Sequence, residues 1–589
     1  MRFVGRLAEM IAASAGALSR ATGRGGGTSL PGMVLNRLEP GALRRLGGSL
    51  GGGAVYISAT NGKTTTARLL SSCLRADGRD VTANAAGANL ASGVTSALLV
   101  RQRRRRAAER AGRRPEGRLR RSDSPRHSGN TLDRDGTDSP GSPERADHHA
   151  DVHSLDNADG QVTGCGGIGV FEVDEAALSE IAGALQPRAV VLMNLFRDQL
   201  DRYGELEAIA ERWSDLARSR SLGPATTMIL TADDPALAHL GTLRTTEPMF
   251  QPYWPEGAPE ATGADSVDAP TTRPPPPPGA PEAAGANPPG PVASPGFLPP
   301  ALEQIGADPP NVVLFGIDDP GVGHHELPHA ADTVRCGDCG GALTHDLVTV
   351  GHLGHWRCEG CGLRRPRPHI SARRVHLDGL DRLELTIAGV HGPSGADLEV
   401  VAGLGGLHNA YNVTAAIAAA TALGVPAEGI REGIAGVRAA FGRAEQVSLD
   451  GRTLRLLLAK NPTGANENIR CLLAEPAPLN LLVVLNDRTA DGRDPSWIWD
   501  VDYEPLWERI ASVTLAGDRC WELALRFSYG GLDPARFQVR ENLPDALDSA
   551  VAATPPGGVL YALPTYTALL DLRAELVRRG ATHDFWQET

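Results

Sequence analysis

The stretch Ala59-Thr60-Asn61-Gly62-Lys63-Thr64-Thr65-Thr66 decides the fold of this chain. It follows the apolar run Gly53–Ser58, which predicts a short strand, and it leads into Thr64–Arg75, whose pattern predicts a helix. In such a strand–loop–helix unit, Gly62 lets the backbone approach phosphate oxygens, and the helix N-terminus offers free N–H groups. Lys63 can reach the β and γ phosphates, and a following threonine hydroxyl can hold Mg²⁺. The stretch therefore predicts a P-loop for a nucleotide.

Lysine is almost absent from the chain, since Lys63 and Lys460 are the only two among 58 Lys and Arg residues. Lys460 lies in Ala459-Lys460-Asn461-Pro462-Thr463-Gly464, far from the P-loop in sequence. A compact ammonium group and a wide guanidinium group are not interchangeable in a tight nucleotide pocket. We therefore expect both lysines to serve phosphate or acyl-phosphate chemistry.

Length, charge and hydropathy limit the possible function classes. The 589 residues allow two or three domains, and a net charge of −12 argues against nucleic acid as the main partner. No apolar run approaches the roughly 20 residues that span a bilayer. Val4, Leu7, Ile11 and Leu18 fall at helical spacing, and Glu9 interrupts their apolar stretch. This pattern favours an N-terminal amphipathic helix over a signal peptide, and hence a cytoplasmic protein.

Short β-rich runs alternate with helical ones along the chain. Ala189–Asn194, Thr227–Leu230 and Leu481–Asn486 read as buried parallel strands that end in polar residues. Strands that alternate with helices predict a doubly wound α/β sheet, which binds its ligands at the carboxyl ends of the strands.

Two segments lack the pattern of a folded region. Arg101–Arg121 contains 11 arginines and continues in a polar stretch to about residue 160, and residues 251–303 are rich in Pro, Ala and Gly. Both are predicted to be disordered insertions. The arginine run is consistent with contact to anionic lipid or nucleic acid, but a solvated insertion in a surface loop is the favoured interpretation.

Four cysteines form two C-x-x-C-G knuckles, Cys336/Cys339 and Cys358/Cys361, that are separated by 18 residues. Such paired knuckles suit a tetrahedral Zn²⁺, and four thiolates fill its coordination sphere, so the predicted zinc is structural. A redox pair is the less favoured alternative. His352 and His355 lie between the knuckles, are surplus as ligands, and are expected to be exposed.

Six motifs resemble, in the same order, those of the Mur ligase superfamily. They are Ala59–Thr65, Phe171-Glu172-Val173-Asp174-Glu175, Asn194–Gly204, Thr231–Pro235, Leu407–Asn412 and Phe441–Glu445. The resemblance implies that ATP phosphorylates a carboxylate and that an amine then displaces the phosphate. Two features depart from the family pattern: Gln199 replaces a metal-binding His, and no lysine lies between Asn194 and Thr226 to be carbamylated. The resemblance thus leaves the second magnesium site open.

The segments Leu458–Glu467 and Asn486–Asp502 resemble the C-terminal domain of one branch of this superfamily, the MurT family. The resemblance implies amidation of the α-carboxyl of D-iso-glutamate in the lipid II stem peptide to D-isoglutamine, through an acyl phosphate. It implies ammonia from a GatD-like glutaminase subunit, and a cytoplasmic enzyme that acts on lipid II, or on a soluble precursor, at the inner face of the membrane.

The resemblance also implies roles for individual residues. ATP contacts fall on Thr60, Asn61, Gly62, Lys63, Thr64, Thr65, Asn409, Asn412 and Arg443. Thr64 and Glu172 would hold Mg²⁺, and Lys460 with Asn461 would face the acyl phosphate. In the family an aspartate completes the Cys/His pair of the glutaminase. Asp494 and Asp500 are the candidates here, with Asp491 and Asp502 as weaker ones.

The predicted architecture has three parts. Residues 1–40 form a helical lead-in, and 41–445 form a P-loop doubly wound sheet with a zinc ribbon inserted at about 333–366. Residues 446–589 form a second, Rossmann-like α/β domain. One alternative function is an amino-acid ligase of the folylpolyglutamate type, which would need no partner. A second is a zinc-ribbon adaptor with a vestigial nucleotide fold, which would bind nucleic acid without hydrolysing ATP.

Overall fold

The computed structural model describes residues 2–21, 28–111, 167–198, 206–243, 312–329, 331–392, 395–438 and 443–583. Gln199, Cys165, the predicted insertion at 251–303 and most of the insertion at 101–160 lie outside these ranges. Within them, no helix is long and apolar enough to cross a bilayer.

The first sheet contains nine of the described strands, in the order β11-β10-β9-β6-β5-β4-β1-β3-β2. The strands from β9 to β2 in this order pair in parallel, as predicted, whereas β9, β10 and β11 pair antiparallel. Only a short turn joins β9 to β10, and so short a connection can link only antiparallel neighbours. The bounds are β1 (Ala54–Ser58), β2 (Val81–Ala83), β3 (Ile168–Glu172), β4 (Ala189–Leu192), β5 (Thr227–Thr231), β6 (Val312–Ile317), β9 (Ile370–Asp378), β10 (Arg382–Ala388) and β11 (Leu398–Ala402).

Helices cover both faces of this sheet because its central strands bury side chains on both sides. On β1, Val55 and Ile57 belong to one hydrophobic core, and Ala54 and Tyr56 belong to another. We call the sheet and its helices the P-loop lobe. The helices are α1 (Arg2–Ala21), α2 (Leu30–Leu38), α3 (Ala42–Gly47), α4 (Lys63–Ala76), α5 (Ala91–Ala111), α6 (Leu178–Ala184), α7 (Leu206–Arg218), α8 (Pro235–Thr242), α9 (Leu407–Ala422) and α10 (Ala427–Ala435).

A second sheet, in the order β12-β13-β17-β14-β15-β16, forms the C-terminal lobe. It is parallel except for the β12–β13 hairpin. β12 begins at Arg443, so the boundary predicted after residue 445 falls inside this strand. The elements are β12 (Arg443–Leu449), β13 (Arg452–Leu457), α11 (Pro462–Ala474), β14 (Leu479–Val484), β15 (Ile510–Ala516), α12 (Cys520–Tyr529), β16 (Phe537–Arg540), α13 (Leu543–Ala553), β17 (Val559–Pro564) and α14 (Tyr566–Arg578).

The ribbon between β6 and β9 is an antiparallel hairpin of β7 (Leu343–Val348) and β8 (Gly354–Cys358). Two expectations about its surroundings were wrong. His352 is fully buried rather than exposed, because it packs edge-on against Phe196 with ring centroids 5.1 Å apart. His355 is partly buried, and one of its ring nitrogens lies 3.3 Å from the carbonyl oxygen of Ile317.

The start of the arginine run is also not a disordered insertion. Residues 101–111 complete α5, and Arg101 is buried, where it pairs with Asp80 at 2.5 Å and donates to Thr82 at 3.0 Å. Arg106 pairs with the buried Glu9 of α1. These arginines have specific acidic partners that the run itself does not reveal.

A buried ionic network joins the ribbon to the sheet. The carboxylate of Asp233, fully buried after β5, accepts from Arg365 at 2.7 Å, from the hydroxyl of Tyr411 at 2.6 Å and from the N–H of Ile317 at 3.0 Å. Arg365, which follows the ribbon, also pairs with Asp318 at 2.8 Å. Because all of these groups are satisfied, the loss of one partner leaves a buried charge uncompensated.

We therefore expect Arg365→Leu to lower the free energy of unfolding by about 3–5 kcal/mol, because Asp233 would lose its cation. Arg367→Leu is the matched control, since Arg367 is exposed two residues away. Its effect should stay within about 0.5 kcal/mol. Urea titration of both variants measures the difference, and equal losses would contradict the network's importance.

Candidate functional site

The P-loop follows β1 and is clasped by the segment after β4. The backbone N–H of Asn61 donates to the side chain of Asn194 at 2.9 Å, and the Asn194 amide donates back to the carbonyl of Asn61 at 3.0 Å. The Thr60 hydroxyl bonds both the carbonyl and the N–H of Phe196, at 3.0 and 2.9 Å. These four bonds between neighbouring strand ends hold the loop in one conformation.

Gly62 is required at its position. Its φ of 92° lies in the left-handed region, and a Cβ there would come within 2.0 Å of Oδ1 of Asn412. Helix α4 begins at the next residue, so its free N–H groups and positive dipole end lie at the loop. This is an anion-binding cradle of the predicted kind.

The buried ammonium of Lys63 contacts the carbonyl of Ala59 and one carboxylate oxygen of Glu175, at 2.9 Å for the latter. Burial by itself lowers the pKa of Lys63, but Glu175 and nearby Glu172 and Asp198 outweigh it, so that its pKa lies above the ordinary value. Lys63 is therefore a fixed positive charge at neutral pH. Glu175 carried no assigned role in the sequence analysis, although it lies three residues after Glu172 in the same motif.

Thr64 and Glu172, the two predicted magnesium ligands, lie side by side. The Thr64 hydroxyl donates to a carboxylate oxygen of Glu172 at 2.6 Å. A hydroxyl and a carboxylate next to a phosphate cradle are the oxygen ligands that Mg²⁺ takes in P-loop enzymes. The donor set fits the ion.

An open cleft of about 950 Å³ extends from the P-loop between the two lobes. The first turns of α9 and of α11 form its facing walls, with Asn409 and Asn412 on one side and Thr463 and Glu467 on the other. Thr65 also lines the cleft, and the Asn412 amide donates to Asn409 at 2.9 Å. Five of the nine predicted ATP residues, Asn61, Gly62, Thr65, Asn409 and Asn412, thus line this cleft, and Thr60, Lys63 and Thr64 belong to the same loop and helix start. The side chain of Arg443 lies outside the described residues.

A second cleft of about 530 Å³ adjoins the first. Lys460 lines both clefts and pairs with Asp198 of the P-loop lobe. Asn461 caps α11 through the N–H of Gly464 at 2.8 Å, and its amide donates to Asn61 at 3.1 Å. The two predicted acyl-phosphate residues therefore lie where the P-loop meets the second cleft.

The four candidate aspartates separate in the structure. Asp494 and Asp500 flank a 3-10 helix, Pro495–Asp500, at the second cleft. Asp494 is exposed and caps this helix through the N–H of Ser496 at 2.9 Å, whereas Asp500 pairs with Arg197 at 3.2 Å. Asp491 also lines this cleft, but it is buried and accepts from the N–H of Thr567 at 2.7 Å.

Asp502 has partners outside the cleft, since one carboxylate oxygen lies 2.7 Å from His329 and the other accepts from Asn466 at 3.2 Å. Asp494 and Asp500 thus have the better access to the cleft, although the sequence alone did not choose among the four residues.

Glu467 was missed by the sequence analysis. It is 7% exposed, and this burial raises its pKa to about 7. Arg470 and the N–H of His408 lower the pKa, but burial outweighs them. Glu467 lies four residues after Thr463, which also lines the cleft, so both side chains are on the same face of α11. This helical spacing was the signal that could have identified Glu467.

The four knuckle cysteines converge as predicted. Their Sγ atoms all lie within 4.8 Å of one another, with Cys336 and Cys361 at 3.6 Å and Cys339 and Cys358 at 3.4 Å. Zn–S bonds of about 2.3 Å place tetrahedral sulfurs about 3.8 Å apart, so the cluster is the right size for zinc. The N–H of Gly341 approaches the sulfur of Cys339 at 3.4 Å. Among the described residues this is the one group of its kind.

Comparisons with known proteins agree with this geometry. The family model for the MurT ligase C-terminal domain matches residues 458–569. Over 559 residues the chain is 27% identical to the lipid II isoglutaminyl synthase (glutamine-hydrolyzing) subunit MurT of Streptococcus pneumoniae, covering 94% of this chain and 93% of that protein. The corresponding subunit of Staphylococcus aureus is 23% identical, with 95% of each chain covered.

Solved structures show the same fold. MurF from Acinetobacter baumannii matches with a TM-score of 0.51 and 15% identity, covering 93% of this chain and 81% of that one. A pseudomurein peptide ligase type C from Methanothermus fervidus matches with a TM-score of 0.50 and 18% identity, covering 90% and 78%. This chain therefore has the fold of the Mur ligases, resembles MurT subunits over nearly its whole length, and matches the family model of the MurT ligase C-terminal domain over residues 458–569.

Proposed function

We propose that this chain amidates the α-carboxyl of D-iso-glutamate in the lipid II stem peptide, with ATP and with ammonia from a glutaminase subunit. The observation that carries the proposal is the position of Lys460, which lines both the nucleotide cleft and the aspartate-lined second cleft. An acyl phosphate formed at the P-loop would lie beside this lysine, and a nucleophile entering from the second cleft would meet it there.

The reaction has two steps. A carboxylate oxygen of the substrate attacks the γ-phosphorus of ATP and releases ADP, and ammonia then attacks the acyl carbon and expels phosphate. Lys63 and the N-terminus of α4 stabilise the charge on the transferring phosphoryl group, because they are fixed before it arrives. Thr64 and Glu172 would hold Mg²⁺, which would neutralise charge on the β and γ phosphates. We expect Arg443 to contact the phosphates as well.

Lys460 and Asn461 would bind the acyl phosphate, and the lobes would exclude water from it. Asn409 and Asn412 would contact the adenosine part of ATP along the wall formed by α9. Glu467 lines the wall formed by α11 and is buried. A closed site is needed because water competes with ammonia for the same acyl carbon.

The glutaminase subunit would dock beside the second cleft. Four large side chains are exposed there or on the neighbouring helix α12: Trp499 (47%), Trp521 (61%), Leu525 (50%) and Tyr529 (76%). Trp499 lies on the same 3-10 helix as Asp500, and its ring contacts Tyr529 at 5.8 Å. Aromatic side chains of this kind dominate protein–protein interfaces, so the patch supports a protein partner at this cleft.

The proposed enzyme would act at the inner face of the cell membrane, where lipid II presents its stem peptide. The carboxylate chemistry is the same on a soluble precursor, so the substrate form is a separate question for the assay.

The first test supplies the chain with ATP, solubilised lipid II and concentrated ammonium chloride, without a partner. We expect an amidated product by mass spectrometry, because ammonia enters the second step directly. Lys63→Ala should reduce turnover by about 10²-fold or more, since it removes fixed charge from the transition state.

Arg68→Ala, on the exposed side of the same helix, is the matched control and should retain activity. Turnover with a free amino acid instead of ammonium would contradict the proposal and favour an amino-acid ligase of the folylpolyglutamate type. Polyanion binding without ATP turnover would indicate the adaptor.

If an aspartate of the second cleft serves the glutaminase, its substitution should affect glutamine-dependent turnover but not ammonium-dependent turnover. With the glutaminase present, Asp494→Asn or Asp500→Asn should lower glutamine-dependent turnover by about 10²–10⁴-fold if that residue orients the partner's histidine. Turnover with ammonium should stay within a factor of about three, because Asn preserves the helix cap and the ligase site.

Asp533→Asn is the control for the cap, since Asp533 caps another 3-10 helix through the N–H of Ala535 at 2.9 Å. It should change neither activity. If both second-cleft variants kept full glutamine-dependent turnover, neither residue would complete the partner's site.

We further propose that the four cysteines hold one structural zinc ion. Elemental analysis should find about one zinc per chain, and Cys336→Ser should lose the metal and lower the thermal midpoint, because the hairpin has a small apolar core of its own. Cys520→Ser, a buried cysteine outside the cluster, should retain the zinc. A wild-type protein that carries no zinc after expression in zinc-replete medium would contradict this assignment.

A further inference from the structure

Helix α1 exposes its large apolar side chains instead of burying them. Leu7 is 50% exposed, Met10 66% and Ile11 47%. Leu7, Met10 and Ile11 stand at i, i+3 and i+4 and so form one apolar stripe, and the small exposed residues Ser14 and Ala17 continue the same outer face. A helix of a globular protein ordinarily turns such a stripe toward the core.

The inner face of α1 is made of small residues and one charge. Ala8 and Ala12 are 5% and 0% exposed and pack into the core beside α2. Glu9, with a side chain 5% exposed, pairs with Arg45 at 2.8 Å and with Arg106 of α5. A rotation of the helix that buried Leu7 and Ile11 would break both ion pairs of Glu9. The buried Glu9 therefore keeps the apolar stripe on the outer face.

The surroundings of the stripe are basic. Arg6 is exposed on α1 itself, and the last turns of α5, held against α1 by Arg106, expose Arg103 together with one acidic residue, Glu109. This local excess of positive charge contrasts with the net charge of −12 of the whole chain. The neighbouring helix α2 adds further exposed side chains of the same two kinds, Met33, Arg37 and Leu38.

We propose that this α1 surface, defined by Leu7, Met10 and Ile11 with Arg6 and Arg103, binds the surface of an anionic lipid bilayer. An amphipathic helix with an apolar stripe and basic residues beside it lies in the headgroup region, with its stripe in the acyl boundary. Each basic residue there adds about 1 kcal/mol of attraction to anionic lipid.

A bilayer fits this surface better than a protein partner does. The stripe is one convex helix face of flexible aliphatic and thioether side chains, whereas the aromatic patch on α12 has the composition of a protein interface. The positive charge beside the stripe also favours an anionic bilayer, because its negative surface complements the arginines. Membrane binding is independent of the proposed reaction. Its use, to bring the catalytic clefts to a lipid-linked substrate, rests on the proposed function.

The test is co-sedimentation of the full chain with vesicles of phosphatidylglycerol and phosphatidylcholine, compared with phosphatidylcholine alone. We expect binding to the anionic vesicles that weakens with salt. The double variant Leu7→Glu, Ile11→Glu should lower the partition coefficient at least tenfold, because it places charge in the acyl boundary. Arg6→Gln with Arg103→Gln should lower it about 30-fold at low salt, as two contributions of about 1 kcal/mol predict.

Leu570→Glu is the matched control, since Leu570 is 41% exposed on α14 of the other lobe, and it should bind vesicles like the wild type. Activity with ammonium and detergent-solubilised substrate should be unchanged in the double variant, so a failure of the proposed reaction would be visible separately. Wild type that ignores anionic vesicles would overturn the proposal. The proposal would also be overturned if the Leu7→Glu, Ile11→Glu variant bound anionic vesicles as well as the wild type does, or if this variant instead lost association with the glutaminase.

Discussion

Asn61 of the P-loop and Asn461 of the C-terminal lobe exchange two hydrogen bonds, at 3.3 and 3.1 Å, and these bonds join the two lobes at the P-loop. Further hydrogen bonds fix the positions of both residues. Asn61 belongs to the loop clasped by Asn194, and the Oδ1 atom of Asn461 also caps α11. The pair therefore couples the phosphate cradle to the helix that carries the opposite wall of the cleft.

Other contacts close to this pair also join the C-terminal lobe to the P-loop lobe and to the ribbon. Lys460, next to Asn461, reaches Asp198 of the P-loop lobe, and Arg470 on the same helix donates to the carbonyl of Thr349 at 2.6 Å. Glu467 of α11 accepts from the first turn of α9, and its burial raises its pKa to about 7. Such a carboxyl is most stable in the closed cleft when protonated, so this part of the lobe contact weakens as the pH rises from about 4.5 through about 7.

The P-loop lobe was predictable because its signals are local. A strand, a left-handed glycine and a helix start occupy ten consecutive residues, and the C-x-x-C-G knuckles carry their own spacing, so neither depends on distant partners. The strand ends were placed within two residues at β1, β4, β5 and β14. The antiparallel edge of β9–β11 was not predicted, because its register follows from a turn and from packing against α9 and α10.

Long-range pairing accounts for the rest. Glu175 and Asp198 pair with lysine side chains 112 and 262 positions away, and Glu467 accepts from a backbone N–H 59 positions away. No local pattern shows which carboxylate meets which of these partners. The same holds for the arginines at the end of α5. Composition placed them in a disordered run, whereas Arg101 and Arg106 are held by Asp80 and Glu9. A charge run shows only that charge is present, and the fold decides which members are anchored and which face outward.

In the reaction proposed above, the two clefts would let one lysine take part in both steps, because Lys460 lines both of them. Lys460 lies in the short connection between β13, which ends at Leu457, and α11, which begins at Pro462, and its ammonium pairs with Asp198. Asp198 holds it in reach of the P-loop, and the aspartates of the second cleft lie on its other side. Under the proposed function, Lys460 would favour an anion on the side of the P-loop, while ammonia would enter from the second cleft. A cation at the boundary of the two clefts would stabilise the acyl phosphate and leave the approach to the acyl carbon open, which a residue deep in either cleft could not do.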